Sequence, residues 1–170
     1  MPEKKLVIDQ LKLTYEGLFD LNGLYRTIDS WFYEKGYDKF ESKNYEQVLP
    51  SGKDIEIEQL PWKKTTDYFK NQMKIRMKFV NVKNVEIERE GKTIKINQGK
   101  VMMIFDGYLV SDYEGKWEGN QLLYFFRTLF DKYLFKGYFA RAEKWLVNDV
   151  YQVHGLVQKY LNLYKHEKHV

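Results

Sequence analysis

Four groups of side chains in this chain have the types and spacing to suggest chemistry. Gly91-Lys92-Thr93 ends like a phosphate-binding loop, in which bare backbone amides and a lysine meet phosphate oxygens. Such a loop needs another glycine five residues earlier, where Glu86 stands, and a helix after it. Strand-like sequence lies on both sides, so a hairpin turn is the simpler reading. The histidines are His154, His166 and His169. His166 and His169 flank Glu167 near the end of the sequence, where a metal would find no preorganised geometry. His154 sits between Val153 and Gly155 and reads as a hydrogen-bonded helix histidine rather than a general base. The carboxylates Asp106, Asp112, Glu114 and Glu118 could supply an acid–base pair if one were desolvated. Beside Gly107, Gly115 and Gly119 they fit turn chemistry better. Lys74, Arg76 and Lys78 form a basic stripe that could follow a phosphate backbone. The acidic stripes Glu56/Glu58 and Glu86/Glu88 lie on neighbouring runs, so cross-strand ion pairs on a solvated face explain it.

These positions leave no catalytic residues and no metal site to assign, and the chain points away from an enzyme. The absence of cysteine removes disulfides, thiolate zinc sites and cysteine nucleophiles together. A net charge of +4 is too mild to mark a nucleic-acid-binding domain. No apolar run follows Met1-Pro2-Glu3-Lys4-Lys5, so no signal peptide is expected. No stretch reaches the ~20 apolar residues of a membrane span. Cytoplasmic localisation is the expectation. Aromatic residues make up 17% of the chain, enough to require a core of large rings, or a cavity or interface lined by them.

The elements that must position any site are set by period. The sequence reads as a single domain over 1–170, with 165–170 a frayed tail. Leu11, Leu13 and Tyr15 alternate with polar residues as in a half-buried strand. Asp20 fits an N-cap, and Leu21, Leu24, Tyr25, Ile28, Trp31 and Phe32 come after it at helical spacing. Gly36 fits the C′ position, with Tyr37 closing the cap. Strands resume near Lys39, with turns at Pro50-Ser51-Gly52-Lys53 and Glu90-Gly91-Lys92. Runs such as Ile55/Ile57, Met73 to Phe79, Val85/Ile87 and Ile94/Ile96 alternate with charges, predicting a meander with one apolar face. Val101 to Phe105 is apolar on both sides and predicts a strand covered on both faces. Asp106-Gly107 can be a hairpin turn or a bulge in one long strand. Gly115 to Gly119 breaks the sheet, and Asn120 can cap a helix beginning there. From Asn120 to Tyr164 the period is helical, as one broken helix or two, with Gly137 a candidate kink.

The predicted fold is therefore α+β: a curved antiparallel sheet of about six to seven strands, one N-terminal helix and a long C-terminal helix. This order resembles the helix-grip arrangement of START-like, or SRPBCC, domains, in which a curved sheet wraps the last helix around an apolar ligand. The chain departs from that pattern in having one helix, not two, after its first strand. The resemblance implies a non-enzymatic domain that binds a small apolar molecule or lipid between sheet and helix. Met73, Met77, Phe79, Met103 and Phe105 would form its sheet wall, and Tyr138, Arg141, Trp145 and Asp149 its helix wall. Methionines suit an adaptable apolar surface, and Asp149 and Arg141 could orient a polar group. No cofactor is called for. The alternative is a homodimer or partner interface through the aromatic stretch 122–139; nucleic-acid binding ranks below both.

Overall fold

The structure, a computed structural model, describes residues 3–112, 114, 121–133 and 135–167. It is an α+β fold with a six-stranded antiparallel sheet. Six strands and a helix come first: β1 (Glu3–Phe19), α1 (Leu21–Glu34), β2 (Glu41–Leu49), β3 (Gly52–Gln59), β4 (Trp62–Lys64), β5 (Phe69–Arg89) and β6 (Lys92–Ser111). Among the described residues, helix follows as α2 (Gln121–Tyr133) and α3 (Phe135–Asn162). The sheet order is β1-β6-β5-β3-β2, with β4 paired to β5. The Gly115–Gly119 break, the Asn120 cap, Glu118 and His169 lie outside the described residues.

Local sequence explains α1 closely. The Asp20 carboxylate accepts the Gly23 amide at 3.0 Å, capping the first turn. Leu24, Ile28 and Phe32, one face at four-residue spacing, are buried. At the other end Gly36 takes φ +74°, a left-handed conformation that glycine adopts cheaply. The Tyr37 amide donates to the Phe32 carbonyl and the Gly36 amide to the Tyr33 carbonyl, a Schellman closure. Tyr37 is thereby turned back against Phe32, ring centroids 5.4 Å apart.

Two runs that alternate separately in the sequence, around Met73 and around Val85, belong to one strand, β5. A register shift between Val80 and Lys83 interrupts its ladders with β6, and Asn81 there takes φ +56°. The Asp54 carboxylate accepts the Asn81 amide at 2.8 Å. Gly52 and Gly99 flank the distortion on β3 and β6. A Cβ on either would come within about 3 Å of Asn81 or Val80–Val82 backbone, so only glycine lets the strands close on this bulge. Asp106-Gly107 is no turn: β6 runs straight through it, and Met73 pairs Gly107 while Lys74 pairs Asp106. The irregularity sits across the ladder in β1, whose register shifts between Leu6 and Ile8 and between Ile8 and Leu11.

The core lies between the sheet and α3. Leu146, Val150, Val153 and Val157 of α3 form one cluster with Met73, Ile75, Met77 and Phe79 of β5 and Val101, Met103 and Phe105 of β6. Phe19 and Phe79 stack within it at 6.1 Å. Tyr160 of α3 reaches across to α1, where a Cβ on Gly23 would stand 1.8 Å from its hydroxyl. A smaller cluster of Leu18, Ile87 and Ile96 closes the β5–β6 end, with Tyr164 packed against it. Arg89 lies 5.1 Å from the Tyr164 ring and 3.9 Å from the Glu167 carboxylate, so the chain is held to the sheet as far as Glu167. Gly137 is helical within α3, so it is no break in the helix.

Candidate functional site

The Schellman turn of α1 is the first step in building the site. It aims the Tyr37 hydroxyl at α3, where it donates to the Asp149 carboxylate at 2.7 Å in a buried setting. β4 supplies the second step. Asp38 and Trp62 exchange backbone hydrogen bonds of 2.8 Å, and the Pro61 carbonyl accepts the Met73 amide. This pins the short strand to both the α1 exit and β5. Lys63 of β4 then sits with its ammonium 4.8 Å over the Tyr37 ring and 3.6 Å from Asp149. It also donates to the Lys35 carbonyl at 3.1 Å. One lysine thus ties the end of α1 to α3, and the buried Asp149 both accepts a hydrogen bond from Tyr37 and meets a counter-charge.

Burial drives the Tyr37 phenol far above its ordinary pKa, and the adjacent Asp149 charge and hydrogen bond push it the same way. It is a fixed hydrogen-bond donor at any physiological pH. The Asn71 side chain, close to Tyr37, offsets a little of that rise. Asn71 and Gln59 are wholly buried, and neither amide makes a hydrogen bond of normal geometry. They occupy inward positions in phase with Phe69 and Met73 on β5 and with Ile55 and Ile57 on β3. A polar residue interrupting an apolar phase is a sequence signal, and it marks this end of the sheet.

Outside this network lies a cleft of about 360 Å³, lined by Lys35, Lys63, Lys64, Thr65, Trp145, Asn148 and Asp149. Three lysines face one carboxylate there, and that carboxylate is already held by Tyr37 and Lys63. Trp145 is 48% exposed and offers a flat apolar wall. Lys64 bonds Glu114 at 3.2 Å on the surface beyond.

The nine residues of the predicted cavity do not share one space. Met73, Met77, Phe79, Met103 and Phe105 are at most 2% exposed and pack with the α3 face described above. Tyr138 and Arg141 lie on the exposed side of α3, where the Arg141 guanidinium is 6.0 Å from the Tyr138 ring. Trp145 and Asp149 meet in the cleft at the end of β4.

The other chemical groups are occupied by structure. Asp106 accepts the Gln10 amide at 2.8 Å and the Arg76 guanidinium at 2.7 Å, stitching the β1 irregularity to β5 through β6. Asp112 lies six residues further along, about 20 Å in extended chain, so the two are no acid–base pair. His154 has Nε2 3.3 Å from the Lys12 carbonyl and its ring against Phe105. Among the described residues no group of three or more potential ligands could hold a metal ion.

The basic stripe pairs as its order predicts on one side only: Lys74 meets Glu58 at 3.3 Å and Lys78 meets Glu56 at 3.4 Å, while Glu86 and Glu88 face Lys95 and Thr93 instead. Between these charges the outward side chains of Met102 and Ile104 floor a groove of about 310 Å³. The β6 segment predicted to be covered on both faces is therefore fully buried on one face and half-buried on the other. Among the described residues no helix is long and apolar enough to cross a membrane. No family model, no curated protein and no solved structure matches this chain.

Proposed function

We propose that this chain is a small-molecule-binding domain whose ligand is an organic anion with a flat apolar body, held in the cleft between α3 and β4. The observation that carries the proposal is the lining of that cleft. Lys35 lines it beside Lys63, whose charge Asp149 shares with the Tyr37 hydroxyl, and Lys64, which also bonds Glu114, while Trp145 provides a stacking surface beside the Asn148 amide. Its volume is within the range of ligand clefts. Preorganisation supports the same reading, since Lys63 is held by three different groups before any ligand arrives.

The helix-grip analogy belongs to this proposal. An antiparallel sheet with its last helix along the inner face supports it, and fold analogy alone carries no function. The site is placed at the mouth rather than beneath α3 because the methionine-rich sheet wall is packed against α3. The cleft opens where the exit of α1, β4 and α3 meet.

The test is a titration of the purified protein with benzoate and with phenyl phosphate, monitored by ligand-observed NMR, after native mass spectrometry has scored any copurifying molecule. Saturable millimolar or tighter binding, weakened about tenfold by Lys35→Gln with Lys64→Gln and lost in Trp145→Ala, is the expected result. Binding indifferent to all three substitutions would reject the site.

A further inference from the structure

The α2 helix presents an apolar face to solvent. Leu122, Phe125, Phe126, Leu129 and Tyr133 recur at three- and four-residue spacing and are 43–73% exposed. At 100° per residue they fall within about 100° of arc. No charged residue interrupts that arc, and Lys132, Gln121 and Thr128 border it on one side. The neighbouring chain is basic. Residues 121–144 hold five basic and two acidic residues, so this stretch carries +3 of the chain's formal +4. Lys132, Lys136, Arg141 and Lys144 are exposed, while Glu143 is engaged by Lys5.

We infer that α2 docks this protein on an anionic lipid surface, its apolar arc entering the headgroup boundary while Lys132 and the exposed basic residues that follow on α3 meet lipid phosphates and carboxylates. An apolar arc of Phe, Leu and Tyr bordered by Lys is the composition of a helix that lies in the membrane interface. The charge decides between this and a second copy of the chain. An antiparallel two-fold pairing along this arc sets the Lys132 border beside its own copy, and like charges facing each other oppose that pairing. The same basic residues are attracted to an anionic leaflet, each Lys or Arg near the surface adding roughly fivefold to affinity. The helix would lie on the membrane, since no helix among the described residues is long and apolar enough to span one. The residues involved are separate from the cleft of β4 and α3, so this inference stands or falls without it.

The test is flotation of the full chain with vesicles of phosphatidylcholine alone and with roughly 30% phosphatidylserine. Binding is expected to the anionic vesicles only, weakening as salt rises. Phe125→Ser with Leu129→Ser should abolish it. Lys132→Gln with Lys136→Gln should weaken it by about an order of magnitude or more. Circular dichroism and thermal melts keep the comparison fair, because these exposed substitutions leave the core intact. Light scattering runs in parallel. A concentration-dependent dimer that fails to float would overturn the inference in favour of self-association. Failure to float with no dimer would overturn it as well, as would equal binding to neutral vesicles.

Discussion

Removing the Tyr37 hydroxyl tests the network that organises the cleft. In Tyr37→Phe the ring and its packing on Phe32 survive, and only the 2.7 Å donation to Asp149 is lost. Both residues are buried, at 6% and 8% exposure, so water does not replace the bond freely. A hydrogen bond to a charged acceptor contributes roughly 1.5–3 kcal/mol. Lys63 remains 3.6 Å from Asp149 and limits the damage, which places the expected loss at about 2 kcal/mol. For a chain of this length that corresponds to a fall of about 4–8 °C in Tm. Urea unfolding monitored by circular dichroism measures it, with Asp149→Asn and the double variant completing a cycle. The double variant should lose at least about 1 kcal/mol less than the sum of the singles. A Tyr37→Phe protein within about 0.5 kcal/mol of wild type, or an additive cycle, would refute the network as a stabilising unit.

Alkaline pH probes the same phenol from the other side. The folded state raises the Tyr37 pKa, and it pushes that of Tyr160 up to about 12 through burial and the nearby Asp20. Folding therefore favours the neutral phenols. Their contribution is complete below the unfolded value near ~10 and is lost as pH rises beyond it, for Tyr160 between ~10 and about 12. Denaturation midpoints should fall in that window, and less steeply in Tyr160→Phe. Gly23→Ala should destabilise by about 1 kcal/mol in a thermal melt, since the new methyl meets the Tyr160 hydroxyl and the capping Asp20 carboxylate; a neutral result would mean that the Tyr160 side chain swings aside without cost. Asp106→Ala strips partners from both the Gln10 amide and Arg76 and should cost about 2–4 kcal/mol by urea titration. Leu146→Ala should cost about 2–5 kcal/mol by the same assay if the sheet–helix interior is close-packed, and much less if it is loose.

Local chemistry was the legible part of the sequence. Asp20, the Leu24–Ile28–Phe32 spacing and Gly36-Tyr37 specify α1 at both ends, because caps and periodicity act within a few residues. The strands were legible as alternating runs, but their joining was not. Nothing near Asn81 announces that β5 continues through it; the room comes from Gly52 and Gly99 on other strands. Asp106-Gly107 misleads for the same reason, since its role as strand is fixed by ladders on both sides. At the site, Trp145 and Asp149 are one turn apart on α3 and could be grouped from sequence. Their partners Tyr37 and Lys63 arrive from distant elements through the Schellman turn and the Asp38–Trp62 bridge. Asn71 and Gln59 carried a signal, being polar in an apolar phase. The methionines were read as a cavity wall because composition does not distinguish a wall from a filled core.

Ligand binding at the cleft is measured most directly by the indole Nε1–H cross-peak of Trp145, assigned by its loss in Trp145→Phe, during titration with benzoate and phenyl phosphate. Occupancy of the cleft predicts a saturable shift of that peak, with backbone shifts confined to Lys63–Thr65, Lys35 and Asn148–Asp149. Saturable shifts centred elsewhere, or an unmoved Trp145 indole at millimolar ligand, would contradict it.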